Sequence, residues 1–198
     1  MMTLCFATNN KHKLEEVALA VKDNLTILSL AELSVDEELP ETQDTLEGNA
    51  LQKAQYLFDK LCIPCFADDS GLEVEALNGE PGVYSARYAG VHRNSDDNMT
   101  LLLKNLVGQK NRKAKFRTVI ALVGYQPQPQ LFDGTVEGHI IHEKKGNLGF
   151  GYDPIFVAEG YKRTFAEMTA EEKNNLSHRA IAVKKLVGYL KAFPQIAR

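Results

Sequence analysis

The chain has 198 residues, 44% of them apolar and 25% charged, with a formal net charge of −3. That length buries one substantial core, or one core split between two lobes, and leaves little for two full domains, so residues 1–198 are read as a single domain. Lysine and arginine are scattered rather than massed, which argues against a nucleic-acid duplex or an anionic membrane as partner and leaves small anionic ligands open.

Thr3 to Ala7 reads as a buried first strand. Thr8-Asn9-Asn10-Lys11-His12-Lys13 then leads into a helix with apolar positions at Leu14, Val17, Ala18 and Val21, the spacing of one helical face. A loop between strand and helix presents backbone N–H groups and the positive end of a dipole to an anion, and Lys11 and Lys13 add formal charge. It lacks the glycines of a Walker or dinucleotide loop, and read alone it is equally an ordinary helix start.

Leu25 to Leu30 is a second strand. An acidic loop follows from Asp36 to Asp44, containing Glu37, Glu38 and Glu41. Asp44 with Glu47 three residues on has capping-box spacing, which predicts a helix from about Thr45 to Leu61 with Leu46, Ala50, Ala54 and Leu57 inward and Lys53 near its exposed edge. By itself the acidic loop is a solvated turn; beside a metal it supplies a carboxylate, and Glu41 directly precedes the helix. Cys62-Ile63-Pro64-Cys65 spells C-x-x-C, but it follows a helix and opens a strand, the reverse of the polarity that activates a redox thiol. With Cys5 the cysteines number three, too sparse for a disulfide framework, so structural thiols in a reducing compartment are expected.

Pro64-Cys65-Phe66-Ala67-Asp68-Asp69-Ser70-Gly71-Leu72 carries the sharpest chemical signal. An apolar run that reads as a buried strand stops at two adjacent carboxylates, a hydroxyl and a glycine. Neighbouring side chains of a strand point to opposite faces, so Asp68 and Asp69 cannot both face the core, and one is left to look into a cleft. A carboxylate there holds a hard cation or takes a proton from water, and Gly71 lets the backbone turn sharply. The competing reading is a polar turn between two strands.

Gly71 to Val74 returns as a strand, and Asn78-Gly79-Glu80-Pro81-Gly82 is a strong turn signal. Tyr84-Ser85-Ala86-Arg87-Tyr88 sets an arginine between aromatics, either a packed surface or an anion contact. Asp96 to Leu106 is helical, with Met99, Leu102, Leu103 and Leu106 as its stripe. Phe116 to Tyr125 and Thr135 to Ile141 read as long strands, antiparallel neighbours across the Pro127 to Gly134 connection. His139 and His142, three apart on a strand, face opposite ways, which argues against a shared metal.

Gly146 to Pro154 packs three glycines, two aromatics and Asp153 into nine residues. Such glycines let backbone approach a flat ligand on which Phe150 or Tyr152 stacks, or else make a glycine-rich hairpin. Thr164 with Glu167 and Thr169 with Glu172 have capping-box spacing. Ser177, as N-cap, opens the last helix, with Ile181, Leu186, Val187 and Leu190 inward. His178 and Arg179 fall in its first turn, where cations oppose the helix dipole, which suggests an anionic or carbonyl-bearing partner. Strands and helices alternate early and long strands come later, so the fold class is mixed α/β, a mixed sheet flanked by helices. Apolar runs such as Val119 to Val123 are too short to span a bilayer, and the N-terminus lacks a secretion signal, so a cytoplasmic protein is expected.

Taken together, Thr8-Asn9-Asn10-x-x-Lys13, Pro40-Glu41-Thr42, Ala67-Asp68-Asp69-Ser70-Gly71, Tyr84-Ser85-Ala86-Arg87, Phe150-Gly151-Tyr152-Asp153-Pro154 and Ser177-His178-Arg179 resemble, in order, the motifs of the inosine/xanthosine triphosphate pyrophosphatase family. The resemblance runs from residue 3 to about residue 190. It implies an elongated mixed α/β fold with two lobes around a cleft, a homodimer, dependence on Mg²⁺, and hydrolysis of ITP, dITP and XTP to monophosphate and pyrophosphate. By the same resemblance the phosphate loop falls on Thr8, Asn9, Asn10, Lys11, His12 and Lys13, with Lys53 a further phosphate contact. The metal carboxylates fall on Glu41 and Asp69, with Asp69 also the proton acceptor. Ser70 and Arg87 would touch substrate, and Phe150, Gly151, Tyr152, Asp153, Lys173, His178 and Arg179 would form the base pocket. The chain departs from the family at Asn9, where glycine is usual; asparagine tolerates left-handed backbone better than most residues.

The chemistry fits independently. A triphosphate suits Mg²⁺ held by one or two carboxylates. A donor facing purine O6 accepts ITP and XTP, whereas the amino group of ATP would meet donor with donor. Alternative readings are a related pyrophosphatase for modified pyrimidine or methylated nucleotides, and a non-catalytic nucleotide-binding module.

Overall fold

A computed structural model of the protein describes residues 2–21 and 24–193. Among the described residues seven strands form one sheet: β1 (Met2–Phe6), β2 (Leu25–Leu28), β3 (Cys65–Val74), β4 (Pro81–Gly82), β5 (Lys113–Val123), β6 (Gln130–Ile140) and β7 (Phe156–Ala158). Their order across the sheet is β2-β1-β3-β5-β6-β7, with β4 pairing onto β3. The helices are α1 (Lys11–Val21), α2 (Leu46–Leu61), α3 (Ser95–Asn105), α4 (Ala170–Asn174) and α5 (His178–Ala192). β1 pairs in parallel with β2 and with β3, while β3–β4 and β6–β7 are antiparallel, so the sheet is mixed as expected.

The chain divides into two compact units. The first comprises the described residues up to Asp69, Thr118–Gly134, and those from Arg179 onward; the second comprises Ser70–Arg117 and Thr135–His178. In the first, Leu4, Phe6 and Phe66 of the parallel strands pack with Val17 and Val21 of α1, Ile120 and Leu122 of β5, and Ala182, Val183, Leu186 and Leu190 of α5. Phe6 and Phe66 are register partners whose rings stack 4.6 Å apart. In the second, Met99 and Leu102 of α3, Phe116 of β5 and Phe156 of β7 close around Tyr152 and Phe165.

Local signals explain most element boundaries. Thr164 and Thr169 both close reciprocal capping boxes with Glu167 and Glu172. Asn94 caps α3 by accepting from the Asp96 and Asp97 amides. At α2 the cap is Thr45 accepting from the Gly48 amide, one residue later than the expected Asp44 pairing. Two helical faces are rotated slightly from their expected positions. Ala18 is exposed, and the buried face of α5 runs through Ala182 and Val183, with Ile181 half-buried.

The largest departure is at β3, which runs unbroken for ten residues through Asp68, Asp69, Ser70 and Gly71, with no turn at the two carboxylates. Gly71 is extended, and its role is close approach: a Cβ there would lie 2.4 Å from the Gly82 carbonyl oxygen of β4. Side-chain chemistry that favours turns in isolation is overridden where both strand faces are covered and the carboxylates find partners.

Candidate active site

In the first unit the functional side chains gather where β3 passes α1 and α2. Asp68 and Asp69 are both buried, at 0% and 7% exposure, so burying them demands compensation. Each finds different partners, as strand alternation requires. Asp68 Oδ2 accepts from Arg179 Nε at 3.0 Å, and Asp68 Oδ1 lies 3.2 Å from Lys13 Nζ. Arg179, at the start of α5, also pairs through its NH1 with Glu16 of α1. Asp69 Oδ2 accepts from Asn49 Nδ2 at 3.0 Å, and its Oδ1 lies 3.9 Å from Lys53 Nζ.

Lys53 is the hinge of the second set. It is 5% exposed, not on an exposed helix edge as its spacing predicts, because its ammonium has three oxygens to reach. It donates to Glu41 Oε1 at 2.6 Å and to the Asp68 carbonyl at 2.8 Å, while Asp69 stands further off. Glu41 and Asp69 therefore share one cation.

The electrostatics separate the two aspartates. Burial pushes the Asp68 carboxyl up, but Lys13, Arg179 and Lys53 outweigh it and hold it well below the usual carboxylate range. For Asp69 burial prevails over the attraction of Lys53 and Lys13, and Glu41 adds repulsion, so its carboxyl is raised. Lys53 moves the opposite way to an ordinary buried lysine: burial lowers it, yet Asp69 and Glu41 raise it overall. Lys13 is lowered, with burial outweighing Asp68. Asp68 is thus a fixed anion, and Asp69 is the carboxylate with the greater appetite for a proton or a cation.

Among the described residues no three His, Cys, Asp or Glu side chains gather as a cage for a metal. A hard divalent cation fits the site on other terms, since two hard oxygen donors converge at Lys53 and such an ion takes its remaining ligands from phosphate and water.

The loop before α1 keeps its lysines apart in role. Lys13 turns inward to Asp68, while Lys11 and His12 are exposed, His12 lying 3.6 Å from Glu15. Thr8 Oγ1 accepts from the Asn10 amide, and Asn10 Oδ1 accepts from the Lys13 amide, shaping the turn into α1. Asn9 is not among the residues with positive φ, so its left-handed tolerance is not drawn on. Instead its side chain donates to the Glu37 carbonyl at 3.2 Å and accepts from the Leu39 amide at 3.3 Å, tying the loop to the acidic segment.

The second unit holds a separate cluster. Asp153, 2% exposed, accepts from Lys173 Nζ at 2.6 Å and from the Phe150 amide at 2.8 Å. The Lys173 ammonium lies 4.9 Å from the Phe150 ring centre. Gly149 is required here, since a Cβ would sit 2.1 Å from Asp153 Oδ2 and its φ is +71°. Gly151 is also left-handed, at +63°. Tyr152 is buried and donates its hydroxyl to the Ser85 carbonyl at 2.9 Å, whereas Phe150 is half-buried and keeps accessible surface. His178 is 4% exposed and stacks on Phe116 with centres 4.7 Å apart. Ser70 is half-buried in β3, and Arg87 lies over the Tyr84 ring at 5.2 Å.

Comparison with known proteins decides the family. A model of the Ham1 family matches residues 4–189. The chain belongs to the Ham1 family. This member is 51% identical over 191 residues to a dITP/XTP pyrophosphatase of Flavobacterium johnsoniae, covering 96% of this chain and 99% of the relative. It is 50% identical to a dITP/XTP pyrophosphatase of Porphyromonas gingivalis, covering 96% and 98%. Among solved structures, the Ham1 protein of Coxiella burnetii aligns with a TM-score of 0.88 at 37% identity, covering 98% of this chain and all of that one. The Staphylococcus aureus Ham1 protein aligns with a TM-score of 0.86 at 39% identity, covering 96% and 98%. The resemblance carried by the six motifs and the mixed α/β class are both borne out.

Three groups of this Ham1 family member escape a reading of motifs. Asn49 and Gln52 share α2 with Lys53 and have no charge to mark them; only the i, i+3, i+4 series of Asn49, Gln52 and Lys53 hints at a shared face. Glu16 is one of many acidic residues on a helix surface until α5 delivers Arg179 to it.

Proposed function

We propose that this chain hydrolyses deaminated purine nucleoside triphosphates, ITP, dITP and XTP, to the nucleoside monophosphate and pyrophosphate, with Mg²⁺ as cofactor. The reading rests above all on Asp69: a buried carboxylate of raised basicity, held by Asn49 and paired through Lys53 with Glu41. The names of the Flavobacterium and Porphyromonas relatives support the substrate class.

Glu41 and Asp69 would hold the metal, which when bound neutralises phosphate charge and polarises the scissile phosphoryl group. Asp69 orients a water and accepts its proton, a general-base role worth roughly 10² to 10⁴ in rate. Lys53 holds the two carboxylates close, contacting Glu41 at 2.6 Å and standing 3.9 Å from Asp69, and its ammonium would also bind phosphate oxygen. Thr8, Asn10 and the amides at the start of α1 bind the polyphosphate, with exposed Lys11 and His12 at the rim. Lys13 is held at Asp68, so its charge reaches the substrate from a fixed position.

In the second unit, Lys173 and Asp153 brace the Phe150 backbone, and the half-exposed Phe150 ring takes the base. His178 and the backbone amides of Gly149 and Gly151 supply donors to purine O6, the Phe150 amide being taken by Asp153. Arg179 acts at one remove, fixing Asp68. Free thiols at Cys5, Cys62 and Cys65 suit a reducing cytoplasm, and none of the described helices is long and apolar enough to cross a membrane. A homodimer belongs to the same proposal on the strength of the family resemblance, and sedimentation tests it.

The deciding assay incubates the protein with ITP, dITP, XTP, GTP, ATP and TTP, with and without Mg²⁺, and identifies the phosphate product. Pyrophosphate released from the first three alone, and only with Mg²⁺, is the expected result. Orthophosphate as product, or equal turnover of ATP, sinks the proposal.

A further inference from the structure

Asn49 is 1% exposed, and both ends of its amide are committed. Nδ2 donates to Asp69 Oδ2 at 3.0 Å, and Oδ1 accepts from the Gln43 amide at 2.9 Å. Next along the same helical face, Gln52 Oε1 accepts from the Thr42 amide at 3.0 Å while its Nε2 donates to Thr42 Oγ1 at 2.8 Å. One turn from Asn49, Lys53 takes Glu41 itself. Three consecutive residues of the acidic segment, Glu41, Thr42 and Gln43, are therefore each held by a different side chain of α2. Only two of those side chains also reach β3: Lys53, which is charged, and Asn49, which is neutral.

That difference assigns the roles. A lysine between two carboxylates would compete with a cation for the same oxygens, which suits it poorly to fixing them for a metal. An amide carries no charge to compete with a cation, and its geometry is planar and set by two hydrogen bonds at opposite ends. We propose that Asn49 is a positioning residue that sets the spacing and orientation of the Glu41 and Asp69 carboxylates, gripping Asp69 with its N–H and the Glu41-bearing segment with its carbonyl. Partners that orient metal ligands typically change metal affinity by 10- to 100-fold when removed, which gives the scale of the effect. The inference rests on the reading of Glu41 and Asp69 as the cation ligands.

The test is a double-mutant cycle on cation affinity, using the full chain and Mn²⁺ or Mg²⁺ alone, measured by titration calorimetry. Asn49→Ala weakens cation binding by at least about ten-fold, in line with the loss of such a partner. In an Asp69→Asn background the same change has a smaller effect than in the unsubstituted protein, because one of the two groups it acts through is already altered. Should Asn49→Ala fail to fold, Asn49→Ser, whose hydroxyl is too short to span both partners, replaces it in the cycle. In the nucleotide assay the variant loses kcat by about the same factor as cation affinity with KM for dITP nearly unchanged, the split expected of a residue that touches no substrate. A folded variant with unsubstituted cation affinity overturns the proposal, as does a full effect that persists in Asp69→Asn, or no cation binding by the unsubstituted protein. If the unsubstituted protein binds cation but leaves dITP intact, the substrate reading fails while the cycle still decides Asn49.

Discussion

Lys53→Met isolates the electrostatic core of the site. Methionine keeps the stem's packing but removes an ammonium that contacts Glu41 at 2.6 Å, the Asp68 carbonyl at 2.8 Å and Asp69 at 3.9 Å. At an effective dielectric of about 20 the two ion pairs are worth about 6 and 4 kcal/mol before desolvation, which cancels much of that sum. What remains is the cost of stranding buried charge, about 3 to 5 kcal/mol when one partner of a buried pair is removed. The Glu41 side chain is 23% exposed, so solvent relieves part of the strain and the lower end applies. At about 2 to 4 °C per kcal/mol for a chain of this size, Tm falls by about 6 to 12 °C. Thermal unfolding followed by circular dichroism, with and without Mg²⁺, measures it. The variant gains more from added Mg²⁺ than the unsubstituted protein does, because a cation restores the missing positive charge between the carboxylates. A variant that melts with the unsubstituted protein, or whose Tm ignores Mg²⁺, overturns this role for Lys53.

Asp69→Asn abolishes turnover yet stabilises the protein at neutral pH. The folded carboxyl is raised above its unfolded value, so its ionisation costs stability above that raised value and nothing below the unfolded one, near pH 4; Tm profiles of the two proteins therefore converge in acid. Asp68→Asn does the reverse. The folded carboxyl is depressed, its contribution is complete above about pH 4 and is lost as pH falls further, so the variant is less stable at pH 7 and its acid limb is flatter. Gly71→Ala drives a methyl group into the Gly82 carbonyl and costs about 2 kcal/mol or more, read as a lower denaturation midpoint. Asn9→Gly removes the two contacts to Glu37 and Leu39 and costs about 1 kcal/mol, with faster hydrogen exchange at the Leu39 amide as its signature.

Much of this molecule is written locally in its sequence. The two capping boxes at Thr164 and Thr169, the apolar stripe of α2 and the strands that enclose it follow from spacing alone. The course of β3 does not. Asp, Asp, Ser and Gly each favour a turn for reasons internal to a few residues, and only the arrival of Lys13, Arg179, Asn49 and Lys53 makes an extended path with buried carboxylates affordable. Lys53 leaves its expected exposed edge for the same cause: helical spacing says which way a side chain leaves the axis, not that three oxygens lie along its reach. Arg179 reads as a cation awaiting an outside anion, but its anions are Asp68 and Glu16 of the same chain, 111 and 163 residues away.

Those separations bear on how the protein is born. During vectorial synthesis Glu16 and Asp68 leave the ribosome long before α5 does, and in that interval a strand destined for the interior carries an aspartate short of its guanidinium. Partial chains ending before α5 should therefore hold β3 poorly and lean on holdase chaperones. The pairs of Arg179 with Asp68 and Glu16 close only once the last helix is in place.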